Sequence, residues 1–251
     1  MTTFFRTFAA ELLKLRRTLA FWLVFLAPGL ILVLEFMMFH ERVDFFAKKQ
    51  QPLWDVLHRN TFSLWSVLML PLYVTLQTAL LAGLEHSEDR WRSLLTMPVP
   101  RWAIYWAKLI IPCLMVVAST LTLTLGAILS GWALRNIQPR LLFPDPLPWG
   151  LFLHDAWLTI VASVFVVTIH HFLSLRLRLF AASTGVGVAA TIVSFILINS
   201  EKYGRLWPWC LPGRMLINRP QVVEDVLLYS VVGAMLVTLA GTWEFSRREI
   251  R

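Results

Sequence analysis

Glu85-His-Ser-Glu-Asp-Arg-Trp-Arg-Ser-Leu-Leu-Thr-Met-Pro-Val-Pro-Arg-Trp-Ala-Ile-Tyr-Trp-Ala-Lys108 is a polar stretch between two apolar runs, each long enough to cross a bilayer. Its first half is charged and its second half turns amphipathic. Trp91, Leu94, Leu95 and Val99 fall at spacings compatible with one helical face, until Pro98 and Pro100 stop the helix. Arg101 opens the next helix. Lys108 stands just inside it, where its long stem lets the ammonium snorkel back to the surface. A short helix along the membrane, pinned by Trp and ended by proline, is where a soluble partner can push on the membrane part.

The rest of the chain is lipid-soluble. Of 251 residues, 57% are hydrophobic and only 15% charged, and the mean hydropathy is +0.65. A soluble domain carries about 25% charged residues. The composition therefore specifies a polytopic membrane protein. A net charge of +8 would suggest nucleic acid in a soluble protein. Here it reads as basic loops facing anionic membrane lipids, with no nucleic-acid partner.

A helical span needs roughly 20 mostly apolar residues. Six stretches qualify: 19–39, 61–84, 103–134, 155–174, 180–199 and 226–243. The third exceeds a bilayer's requirement and predicts tilt, or a kink at Pro112. Six spans put both termini on one side. With the termini inside, 13 of the 23 Lys and Arg fall on cytoplasmic segments and 10 on outer loops. Close to the spans the bias is clearer, at Lys14, Arg16, Arg17, Arg176, Arg178, Arg247 and Arg248. The start lacks the features of a cleaved signal peptide. Apolar residues at 4, 5, 8, 12 and 15, with cations opposite, predict instead a helix over 1–18 lying in the inner interface. A cytoplasmic extension of the first span is the plainer alternative. Segment 200–225 carries Trp207-Pro-Trp-Cys-Leu-Pro-Gly, aromatics with helix breakers, which predicts a stretch dipping into the outer interface. The Pro-rich segment 140–149 predicts a stiff extended connection.

Embedded catalysis finds no motif. G-x-S-x-G, H-E-x-x-H and a Ser-Gly-His phosphatase core are missing, and no C-x-x-C joins Cys113 or Cys210. The topology puts those two cysteines near opposite faces of the bilayer, unfit for a disulfide. His170 and His171 are adjacent on a helix and do not share a face, so they suit an interfacial hydrogen-bonded pair better than a metal site. His154 and Asp155 mark the outer boundary of the same span. Glu35 is the one acid well inside an apolar run, a candidate for a substrate path or proton coupling. The alternative is a boundary carboxylate paired with Arg42 or Lys49. Ala181, Gly185 and Ala189, with Ser183 and Gly187, let backbones approach closely, within one subunit or across a dimer. No G-x-x-x-x-G-K-[ST] is present, so any ATP hydrolysis must come from another chain, and this one is not expected to be an enzyme.

An acid after the second span, then Leu94-Leu95-x-x-Pro98-x-x-Arg101, then Lys108, resembles the type-2 exporter permeases of ABC transporters. Glu11-Leu-Leu-Lys14-Leu-Arg16-Arg17 resembles the N-terminus of their bacitracin- and lantibiotic-resistance branch. The resemblance implies a single permease domain over 1–251, with both termini in the cytoplasm of a bacterial inner membrane. It implies a second permease, self or sister, and cytoplasmic ATPase subunits that hold ATP and Mg; this chain would carry no cofactor or metal. Within 85–101, Glu85, Glu88, Arg90, Trp91, Leu94, Leu95, Pro98 and Arg101 would form the coupling helix. Glu11, Lys14, Arg16 and Arg17 would belong to the interfacial helix, and 200–225 would be an outer re-entrant segment. The expected fold is all-α, with six transmembrane helices. The expected activity is export of an amphiphile such as a peptide antibiotic, a lipid or a hydrophobic drug. A non-transporting scaffold or sensor, and a lipid-modifying membrane enzyme acting through Glu85, His86 and Glu88, are the competing readings.

Overall fold

A computed structural model describes residues 2–16, 18–48, 51–86, 99–177, 179–216 and 220–247. Those residues are helical with short connections and contain no strand. The order is α1 (Thr2–Leu15), α2 (Leu19–Glu41), α3 (Val43–Ala47), α4 (Leu53–Leu64), a π turn (Trp65–Met69), α5 (Leu70–His86), α6 (Arg101–Ile137), α7 (Trp149–Arg176), α8 (Phe180–Leu197), a 3-10 turn (Pro208–Cys210), α9 (Leu211–Arg214) and α10 (Pro220–Ser246).

Among the described residues, six helices are long and apolar enough to cross a membrane: Leu19–Glu41, Leu53–Glu85, Arg101–Ile137, Trp149–Arg176, Phe180–Leu197 and Gln221–Ser246. The second begins well before residue 61, the start expected from hydropathy. Asp55, His58, Arg59 and Asn60 interrupt the apolar pattern there, but Leu53, Trp54, Val56 and Leu57 face the core and carry the helix through.

Punctuation residues set the boundaries. Thr18 separates α1 from α2: its hydroxyl donates to Leu15 O at 2.9 Å, and the same oxygen accepts from Phe21 N at 3.4 Å. Pro52, Pro100 and Pro148 each directly precede a helix, where the lost N–H costs nothing. Buried hydroxyls turn back on their own helices. Thr75 donates to Pro71 O and Thr78 to Val74 O at 2.8 Å; Thr124 donates to Thr120 O and Thr191 to Gly187 O at 2.7 Å. A bilayer offers these groups no water, so internal acceptors are required.

Contacts define two ends of the bundle. Arg101 reaches Ser246 O and Arg176 reaches Glu244 near the termini. At the far end Gln138 meets His40, Arg140 pairs with Asp44, and Trp54 Nε1 donates to Pro144 O at 3.0 Å. An aromatic cluster fills the far end. Phe39 stacks on Phe46 with ring centroids 4.0 Å apart, Trp54 meets Phe143 edge-on at 4.8 Å, and Phe152 and Leu134 are fully buried.

Candidate functional site: a closed ring of charge

α1 lies against α6. Phe4 stacks on Trp102, and the buried side of α1 carries Phe4, Phe8, Glu11, Lys14 and Leu15. Phe5, Leu12 and Leu13 point away from the protein. The acid of α1 therefore faces the bundle, while part of its apolar surface faces outward. Arg16 is exposed, and Arg17 lies outside the described residues.

Glu11 meets two lysines, and both lysines also meet Glu85. Lys14 Nζ bonds Glu11 Oε1 at 2.9 Å and Glu85 Oε1 at 2.8 Å. Lys108 Nζ bonds Glu11 Oε2 at 2.9 Å and Glu85 Oε1 at 2.8 Å. The four side chains close a ring of alternating sign with zero net charge. Three elements contribute: α1, the last turn of α5 and the second turn of α6. Glu85 is 1% exposed and Lys108 8%, so neither ion sits in bulk water. Isolated ions there would each cost several kcal/mol; mutual pairing is what permits burial. Burial alone would lower the Lys14 pKa, but the Glu85 and Glu11 carboxylates overcome it and hold that ammonium above the ordinary lysine value.

This placement corrects one expectation. Lys108 does not snorkel to the surface; two carboxylates hold it inside. Glu85 Oε2 and His171 Nε2 are buried without a partner among the described residues. Both residues line a cavity of about 30 Å³ beside the ring, with Thr78, Pro112 and Ser174, large enough for water. Glu85 and Arg101 bracket the polar stretch and are described. Glu88, Arg90, Trp91, Leu94, Leu95 and Pro98 lie outside the described residues.

The two histidines are core residues and not an interfacial pair. His170 is 0% exposed and His171 5%. His170 Nε2 accepts from Trp209 Nε1 at 3.0 Å and lies 3.1 Å from Thr75 Oγ1. His171 packs edge-on against Tyr105 at 4.9 Å. The turn that carries Trp209 packs on α7 and α8. Trp207 Nε1 donates to Ala190 O at 3.1 Å, and the chain around Gly213 passes against Val67 and Ile198. Gly187 permits this packing, because a Cβ there would fall 2.2 Å from Thr75 Oγ1 and 2.6 Å from His170 Cε1. Ser183 shares that inward face and bonds Ser174 at 2.8 Å. Ala181, Gly185 and Ala189 point outward.

Glu35 is 7% exposed, and its Oε2 accepts from Asn60 Nδ2 at 3.4 Å. The alternative, a boundary pairing with Arg42, does not form, because α4 packs on this face of α2 and supplies the amide; Lys49 lies outside the described residues. Asp155 lies 3.3 Å from His58 and 2.9 Å from His154. His58 is a partner the sequence reading missed, for it carries no spacing signal. Cys113 and Cys210 are free thiols. No group of three or more His, Cys, Asp or Glu is placed to hold a metal among the described residues.

Residues 7–198 match the model of a family described as ABC-2 family transporter protein. No curated protein and no solved structure matches the chain. Members of that family are transport membrane components that normally work with ATPase subunits and are generally not catalytic themselves. On a match covering most of its length and on six apolar helices, the chain belongs to the ABC-2 transporter family and is a multi-pass membrane permease.

Proposed function

We propose that this permease is the membrane-spanning subunit of an ATP-driven exporter, and that segment 85–101 couples it to a cytoplasmic ATPase. The observation that carries the reading is the closed ring of Glu11, Lys14, Glu85 and Lys108. It ties the N-terminal helix to both helices that flank the polar stretch. A displacement of that stretch is passed to α5, α6 and α1 together, because breaking one arm leaves a buried ion short of a partner. The partner ATPase would hold ATP and Mg. A second permease, identical or sister, completes the membrane unit. The setting is a bacterial inner membrane with both termini in the cytoplasm. The N-terminal helix lies in the inner interface, and 200–225 is a re-entrant segment from the outer side. The cargo is an amphiphile of the kind handled by the bacitracin- and lantibiotic-resistance branch: a peptide antibiotic, a lipid or a hydrophobic drug.

The test uses the permease reconstituted with its ATPase. Leu94→Asp and Arg101→Glu are expected to leave the spans folded while uncoupling ATP hydrolysis from transport. Wild-type coupling in both variants would refute the assignment of this segment.

A further inference from the structure

A cavity of about 510 Å³ opens at the far end of the bundle, between the end of α8 and the start of α10. Asn199, Glu201, Arg205, Arg214, Gln221 and Asp225 supply its polar wall, and Val222 and Val226 its apolar floor. Arg214 is the unusual member. It is only 4% exposed, yet among the described residues it has no carboxylate partner. One terminal nitrogen, Nη1, is held by Ile198 O at 2.7 Å and Ser200 O at 2.9 Å, and Nε has no partner. A guanidinium has five N–H donors in a planar fork. Two carbonyls occupy Nη1, and among the described residues no carboxylate is paired with the guanidinium.

Arg205 and Asp225, beside it, also have bonding capacity to spare. Arg205 and Asp225 stand 3.9 Å apart, close enough to attract but too far to hydrogen-bond, and each is about half exposed. The first two turns of α10 line the cavity through Gln221, Val222, Asp225 and Val226. The cavity thus offers N–H donors for an anion, from Arg214 and Arg205. Beside them stands a carboxylate, Asp225, for a cation. Both signs at one site match a zwitterion that carries a phosphate next to an ammonium.

The position selects the source. The cavity lies at the ends of two helices that are long and apolar enough to span a membrane. Ile196 on α8 (76% exposed), Leu206 beside the cavity (56%) and Leu228 on α10 (60%) present apolar side chains outward next to it. An acyl chain has a lipid-facing surface to follow below the headgroup.

We propose that this cavity binds the headgroup of an aminophospholipid in the leaflet opposite the termini. The phosphate lies on Arg214 and Arg205, and the ammonium on Asp225. The proposal does not depend on coupling to an ATPase, so it stands or falls separately from the exporter reading.

The test is thermal unfolding of the full-length chain in uncharged detergent, read by tryptophan fluorescence. The titrants are dihexanoyl phosphatidylethanolamine, dihexanoyl phosphatidylglycerol and free phosphoethanolamine. The ethanolamine lipid is expected to raise Tm saturably, with half-saturation about tenfold below either other titrant, the worth of one charge-assisted hydrogen bond. Arg205→Gln and Asp225→Asn, both exposed and tolerant positions, are each expected to shift that midpoint upward by a similar factor. Equal midpoints for the two lipids would overturn the zwitterion assignment. Phosphoethanolamine as effective as the lipid would replace the membrane source by a soluble one. A lipid response unaltered in both variants would overturn the site.

Discussion

The two ends of the bundle are held together by different physics. At the termini end, three elements meet through four ions whose oxygen and nitrogen atoms lie 2.8–2.9 Å apart. At the far end, α2, α3, α4, α7 and the connection between α6 and α7 meet through Phe39, Phe46, Trp54, Phe152 and Phe143. Aromatic packing leaves no buried ion unpaired when a ring shifts. An ion ring has discrete states: each contact is made or lost, and Glu85 Oε1 already shares two lysines. On the proposed coupling, the end beside the polar stretch registers a push and the aromatic end stays closed while that happens.

The largest expected effect breaks the ring. Lys108→Ala leaves Glu85 and Glu11 each short of a cation, and is expected to cost about 3–5 kcal/mol of stability in detergent. Glu85→Gln combined with Lys108→Met, which removes both charges at similar volume, should recover most of that loss. A Lys108→Ala variant with wild-type Tm would mean that the ring does not hold this end.

The next effect separates the two faces of α8. Gly187→Leu drives a side chain into Thr75 and His170 and should cost about 1–3 kcal/mol. Gly185, where a Cβ would meet nothing within 4 Å, should accept leucine in the isolated subunit. Loss of a dimer band on crosslinking Gly185→Leu, with unchanged monomer Tm, would place the second permease on that face. At the aromatic end, Phe39→Leu removes the stack on Phe46 and should cost about 0.5–1.5 kcal/mol beyond lost area. Unlike the ring variants, it should leave ATPase coupling intact.

The smallest effect is at the far surface. Arg135 holds Asp145 through two bonds of 2.7 Å, and these hold the Asp145 carboxyl below the ordinary aspartate value. A lowered folded-state pKa contributes stability above the unfolded value of 3.8 and loses it as the pH falls through the folded value. The carboxyl is fully solvated, so Asp145→Asn should leave Tm at pH 7 unchanged within error. A larger loss would show that surface charge matters as much at the far end as at the termini.

The six spans were legible because twenty-residue apolar runs have few other uses. The start of the second span was not, since the polar residues of α4 mask a buried face that only α2, α6 and α7 reveal. Glu11, Lys14, Glu85 and Lys108 were each visible as charges near span ends. Their closure into one ring was not, because residues 11 and 108 are brought together by packing that no local spacing encodes. Lys108 shows the difference: alone, its long stem suggests an escape to water, and only two buried carboxylates reverse that. His170 read as a boundary residue for the same reason, since its acceptor role is set by Trp209 from another segment.

The central claim is that the polar stretch seats an ATPase and the ring carries its motion inward. The direct test is to purify the tagged chain from its native membrane in gentle detergent, identify the co-purifying proteins and assay ATP hydrolysis. A stoichiometric ATPase subunit that is lost on Leu94→Asp is the predicted result. An ATPase-free preparation that stays so after crosslinking in the membrane would contradict it.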